Sequence, residues 1–175
     1  MSRTLRFLPI VLLILLVAGL VWRLMNPADT AIHSQLEGKP VPTFVLPAAL
    51  PGKPALSSAD LAIGKPKLVN VFASWCVPCI TEVGVLRQLQ ARGVPIEGIA
   101  VRDRPEDLAE FLARNGDPYE RIGSDRRSQV QLALGSSGVP ESFIVDGKGV
   151  IRFQHVGAIA AEDIPTVLAE MEKAR

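Results

Sequence analysis

The sequence predicts an α/β domain, a central mixed β-sheet flanked by helices, carrying an apolar segment at its N-terminal end. Three observations predict it. Short apolar runs alternate with helix-length segments from Lys67 to Leu112, the pattern of strands and helices that share one layered core. Lys67 to Ala73 (KLVNVFA) is almost continuously apolar and is bounded by Gly64 and Pro66, as befits a central strand buried on both faces. Toward the C-terminus, Ser142 to Val145 and Val150 to Val156 flank Asp146-Gly147-Lys148-Gly149, a hairpin signal.

The remaining elements follow in order. Gly38-Lys39-Pro40-Val41-Pro42 opens the domain, Thr43 to Leu46 is a short strand ended by Pro47, and Ala55-Leu56 returns after the turn at Pro51 to Pro54. A helix is predicted from Cys76 to about Arg92, with Ile80, Val83, Leu86 and Leu89 along its inner side and Gly93 as its stop. Ile96 to Val101 is the next strand. Pro105 suits a first helical position, with Glu106 and Asp107 in the first turn. Leu108, Phe111 and Leu112 form the inner stripe of that helix, and Asn115-Gly116 ends it. A short helix is expected near Ser128 to Leu134, and Leu168 and Met171 belong to a closing one.

Residues 1–25 read as a signal-anchor transmembrane segment, 26–37 as a linker and 38–175 as the domain. Phe7 to Trp22 is apolar throughout, behind Arg3 and Arg6. Its length lies between that of a cleavable signal and a full membrane span. No A-x-A cleavage pattern follows closely, because Val21 to Met25 is bulky. Trp22 suits a membrane interface, and Arg23 can snorkel to it. The anchor is therefore favoured over the cleaved signal, and the basic start holds that end in the cytoplasm. This predicts a single-pass membrane protein with its domain outside the inner membrane.

Of 19 basic and 18 acidic residues, three cations and no anions fall in residues 1–25, so the rest is mildly acidic. Such a surface is a poor partner for nucleic acid. The chain has 2 cysteines. Cys76 and Cys79 close too small a loop to staple a fold, since the chain-entropy effect grows with loop length; chemistry explains them better. In Trp75-Cys76-Val77-Pro78-Cys79 a buried strand hands over to a helix. Cys76 then stands at a helix N-terminus, where free N–H groups and the helix dipole favour a thiolate. That thiolate attacks a disulfide, and Cys79, one turn on, resolves the mixed disulfide. A zinc or copper site is the competing reading, but a closed zinc site needs four ligands, and only His33 and His155 could join the pair. Neither histidine is assigned a role. No cofactor is required beyond the redox-active Cys76–Cys79 disulfide.

The strand, the Trp75-to-Cys79 motif and Gly138-Val139-Pro140 resemble the thioredoxin superfamily. Gly38 to Pro42, Asn70 to Cys79, Val101 to Asp107 and Gly138 to Phe143 resemble, more narrowly, the CcmG (DsbE) family of bacterial cytochrome c maturation. The resemblance implies a thioredoxin-like fold and a reductant acting on apocytochrome c or a haem-attachment thiol protein. It also implies reloading by a DsbD- or CcdA-type membrane carrier. A disulfide-donating oxidase and a copper-carrying module are the alternatives. The resemblance further implies that Pro140 is cis and faces Cys76, and that Val139 offers its backbone to an extended substrate. Trp75 would form a wall of the site, and Glu82 and Glu141 would be the family's acidic residues, Glu82 catalytic and Glu141 at the substrate. Two departures stand out. Asn70 replaces the buried Asp of ordinary thioredoxins, a change that CcmG relatives share. Gly135-Ser136-Ser137 lacks the aromatic residue often found before the Gly-Val-Pro segment.

Overall fold

The computed structural model describes residues 7–25 and 36–175. The linker up to residue 35 lies outside them, and with it His33, as do Arg3 and Arg6. The chain divides into two units. The first holds helix α1 (Leu8–Met25). Its side chains from Ile10 to Trp22 are apolar and exposed. At about 1.5 Å per residue it is about 27 Å long, and among the described residues no helix is long and apolar enough to cross a membrane.

In the second unit, β1 (Val45–Leu46) and β2 (Leu56–Ser57) form an antiparallel pair, followed by α2 (Ser58–Leu61). The main sheet comprises β3 (Lys67–Phe72), β4 (Ile96–Val101), β5 (Arg121–Asp125), β6 (Glu141–Val145) and β7 (Ile151–Val156), in the order β5-β4-β3-β6-β7. The first three run parallel, while β6 is antiparallel to β3 and to β7. This is the mixed sheet that the sequence predicts, with β3 at its centre.

Alternation along the strands divides the core between two faces. Leu68 and Phe72 of β3 pack with α3 (Val77–Ala91), α4 (Pro105–Asn115) and α6 (Ile164–Lys173). Val69 and Val71 face Leu46, Leu56, Leu61 and the short α5 (Gln129–Ala133).

Two differences from the sequence reading have physical causes. Strand β5 is not predicted, because Arg-Ile-Gly-Ser-Asp offers one large apolar residue. It forms by parallel pairing with β4, and its outer edge meets the segment after β1, where Ser124 N–H donates to the Pro47 carbonyl at 2.9 Å. On α3, Ile80 is 42% exposed, while Glu82 is buried beside Val83, Leu86 and Leu89. A three-residue spacing slips about 60° per step against a helix of 3.6 residues per turn. Ile80 and Leu89 therefore cannot share one face, and Glu82 takes the inward position.

Candidate active site

Strand β3 delivers the chain to Ser74-Trp75, and Cys76 caps α3. The residue is extended (φ −89°, ψ 110°), and Cys79 N–H points at Cys76 Sγ from 3.3 Å. Pro78 lies in the first turn, where no N–H is needed. Cys76 and Cys79 are joined as a disulfide with Cα atoms 5.3 Å apart. Both are largely covered, Cys76 at 4% exposure and Cys79 at 2%. Their asymmetry comes from position, Cys76 at the helix start and Cys79 one turn inward.

The Val139–Pro140 peptide bond is cis, and the Val139 carbonyl oxygen is 3.5 Å from Cys76 Sγ. The folded sheet thus brings together two segments 63 residues apart. Around the disulfide, Trp75 is 57% exposed and Val77 and Ile80 are exposed with it, an apolar collar at the sulfurs. Trp75 and Ile80 border a groove of about 440 Å³ that Arg102, Asp103 and Phe111 also line. Asp103 fixes the approach to the motif: Ser74 N–H donates to its Oδ2 at 2.9 Å and the Ser74 hydroxyl donates to its Oδ1. Burial raises the Asp103 carboxyl above its ordinary range, against the two Ser74 hydrogen bonds.

Beneath the disulfide lies a buried polar chain. Glu82 Oε1 accepts from Ile159 N–H at 3.0 Å, and its Oε2 accepts from Asn70 Nδ2 at 3.2 Å. Asn70 Nδ2 also donates to Ser142 Oγ at 3.0 Å, and Asn70 Oδ1 accepts from the Tyr119 hydroxyl at 2.8 Å. Burial pushes the Glu82 carboxyl up to about 7, while the donors from Ile159 and Asn70 pull it down. It is no solvated helix carboxylate, being 1% exposed, and it shares the buried side of α3 with Cys79.

Glu141, expected at the substrate, is buried, and its oxygens are occupied by the protein. Its Oε2 accepts from Ser136 Oγ at 2.6 Å and Ser137 N–H at 2.9 Å, and Oε1 accepts from Gln154 Nε2. It holds the loop that leads into Val139-Pro140. The serines standing where an aromatic residue was expected are the partners of this carboxylate. The sequence reading assigned no role to Asp103, Tyr119 or Ser142. Asp103 lies in the quoted Val101-to-Asp107 stretch, and Tyr119 is the only tyrosine in the chain, but their partners lie 29 and 49 residues away.

Against known proteins, residues 36–170 match the Redoxin family model. The thiol:disulfide interchange protein DsbE of Tatumella citrea is 38% identical over 93% of this chain and 90% of its own. The DsbE homolog of Paracoccus denitrificans is 37% identical over 97% of both chains. Among solved structures, a thiol:disulfide interchange protein of the thioredoxin family from Chlorobium tepidum TLS is similar with a TM-score of 0.61. It is 28% identical, over 77% of this chain and 94% of its own. Motif, fold and relatives agree: the chain belongs to the Redoxin family and, within it, to the DsbE (CcmG) thiol:disulfide interchange proteins, which are thiol–disulfide oxidoreductases.

Proposed function

We propose that the chain is a periplasmic reductant, tethered to the bacterial inner membrane, that reduces disulfides of apocytochrome c or of a haem-attachment thiol protein. The observation that carries the chemistry is the juxtaposition of Cys76, capping α3, with the Val139 carbonyl, while Glu82 is buried one turn beyond Cys79. The cytochrome assignment draws on the resemblance in the Val101-to-Asp107 and Gly138-to-Phe143 stretches. The tether draws on the apolar, exposed surface of α1 and the cations flanking it. At about 27 Å the helix is a little shorter than a hydrocarbon core of about 30 Å, and Trp22 and Arg23 reach the interface from its end.

The exchange proceeds in two displacements. An extended substrate segment pairs with the Val139 backbone and rests on Trp75. The Cys76 thiolate attacks one sulfur of the substrate disulfide; a mixed disulfide forms, and the other substrate sulfur leaves as a thiolate that takes up a proton. Cys79 then gives its proton to the Glu82 carboxylate and attacks Cys76 Sγ. The mixed disulfide breaks, the second substrate thiol departs, and two electrons have passed from the cysteine pair to the substrate. A carboxyl that burial raises to about 7 suits this task, because a base whose pKa lies near neutral pH can both take up and release the proton. A transmembrane dithiol carrier of the DsbD or CcdA kind restores the reduced pair.

Cys79→Ala leaves the mixed disulfide without its resolving thiol. Expressed from membranes, this variant is expected to accumulate a covalent adduct with a c-type apocytochrome or a haem-attachment protein. Adducts only with unrelated exported proteins would overturn the cytochrome assignment, and a soluble protein released by osmotic shock would overturn the tether.

A further inference from the structure

Asn70 stands at the midpoint of β3 with Gly98 of β4 on one side and Ser142 of β6 on the other. Its amide is asymmetric, with N–H on one edge and C=O on the other, and only one orientation serves Glu82. An ionised carboxylate has no hydrogen to give, so it must meet the N–H edge. Something must then satisfy the C=O edge, which is fully buried. The Tyr119 hydroxyl does so at 2.8 Å. Burial, with the Glu82 and Asp117 charges, lifts that phenol well above its ordinary range, so it remains a donor at every pH at which the enzyme works. The ring is held in place by stacking on Phe72, with centroids 4.5 Å apart and planes 17° apart. Gly98 leaves room for the stack: a Cβ there would fall 2.9 Å from Phe72 Cε1 and 3.0 Å from Tyr119 Cδ1.

We propose that Tyr119 is a positioning residue of the active site, whose hydroxyl locks the Asn70 amide with its N–H edge toward Glu82 and so keeps that carboxylate ready to take the Cys79 proton. The kinetic consequence rests on Glu82 acting as the base. The effect on Glu82 itself does not. Against burial, the Ile159 N–H and the Asn70 side chain are what hold the Glu82 carboxyl down. If the hydroxyl is lost, Asn70 Oδ1 is left as a buried acceptor without a donor. The amide relieves this by turning over, and Glu82 then faces a carbonyl that prefers the protonated carboxyl.

The test uses the full chain with ¹³C-labelled glutamate, the Glu82 carboxyl signal being identified by its loss in Glu82→Gln. In Tyr119→Phe the Glu82 midpoint is expected to rise by about one pH unit, equivalent to a tenfold change in ionisation. Resolution of the mixed disulfide at pH 7 should slow by up to about tenfold and recover as pH rises. In an Asn70→Ala background Tyr119→Phe should add no shift, because its influence runs through the amide. Since Tyr119 is the only tyrosine, replacing tyrosine by 3-fluorotyrosine alters this site alone. The more acidic phenol is the stronger donor, and it should move the Glu82 midpoint down. This labelled protein keeps the hydroxyl and carries the test if Tyr119→Phe fails to fold. An unmoved Glu82 midpoint in Tyr119→Phe, a further shift in the Asn70→Ala background, or a fluorotyrosine shift upward would overturn the proposal. A shifted midpoint with unchanged resolution kinetics would instead remove Glu82 as the base and leave the positioning by Tyr119 standing.

Discussion

Glu82 and Glu97 are both buried, and burial pushes both carboxyls up to about 7, yet they lie on opposite faces of the sheet and in opposite surroundings. Glu82 receives a hydrogen bond on each oxygen, from a backbone N–H and an amide that is itself held from behind. Glu97, on β4, leaves Oε2 as the buried side-chain oxygen without a hydrogen-bond partner among the described residues. The charge of Glu120 lifts it further, against Arg121 and Lys67. A raised carboxyl therefore does not mark a site by itself. What separates the two is a nucleophile one turn away and a polar chain that can hold either protonation state. Glu97 has neither, and its burial is a cost to the fold.

The sharpest way to break this contrast is to neutralise each carboxyl in turn and measure mixed-disulfide resolution by rapid mixing. Glu82→Gln should slow resolution at pH 7 by about a hundredfold, the lower range for loss of a general base, with initial attack by Cys76 unchanged. The deficit should shrink at alkaline pH, where the Cys79 thiol ionises unaided. Glu97→Gln should leave both steps as they are. Equal kinetics for the two variants would return Glu82 to the class of carboxylates that Glu97 represents.

Much of this site is written in contiguous residues, and the rest is not. The strand Lys67 to Phe72 and the motif after it are local signals, since a continuous apolar run and a Pro in the first helical turn act on their own neighbours. The choice of Asn70 over Asp, visible as a departure, also pointed at the right place. The buried chain was not legible. Tyr119, just before β5, Asn70 of β3, Ser142 of β6 and Glu82 of α3 meet only because the sheet is ordered β5-β4-β3-β6 and α3 covers it. The partners of Glu141 were hidden for the same reason: only the loop at Ser136-Ser137 folding back shows that its oxygens are taken. Ile80 misled through phase, because its apolar character fits a helix interior and its angle does not.

Stability against pH offers a second, smaller test. The ordinary carboxyl value of 4.5 applies to unfolded Glu97, and the folded value is about 7, so the folded state binds the proton more tightly. That contribution is fully present below about pH 4.5 and is lost as pH rises through 7. Glu97→Gln cannot ionise and should therefore be more stable than the parent by about 3 kcal/mol at pH 8, with the difference vanishing near pH 4. Urea unfolding across this range measures it. A variant no more stable than the parent at pH 8 would show that water reaches Glu97 and that the two glutamates differ less than their burial suggests.

The smallest expected effect compares the two faces through their glycines. Gly98 lies on the site face, opposite Asn70, and an added methyl would press on Phe72 and Tyr119. Gly123, on β5, lies on the other face, where a Cβ would come 2.8 Å from Leu46 Cβ. Neither contact can be relieved by swinging a flexible chain end, since a stacked ring pair and a Cβ atom are the neighbours. Each alanine should therefore cost between about 1 and 2 kcal/mol of stability, as overpacking of a dense core does. Their consequences for chemistry should differ. Gly123→Ala strains Leu46 and Leu56 and should leave thiol exchange unaltered. Gly98→Ala displaces the Tyr119 ring, and with it the hydroxyl that orients Asn70, so resolution at pH 7 should slow two- to threefold, the effect of about half a kcal/mol lost at the base. Kinetics measured well below the unfolding midpoint separate the two contributions. If both alanines slowed resolution equally, the sheet would be transmitting packing strain to the cysteines through its strands, and the division between a catalytic face and a structural face would not hold.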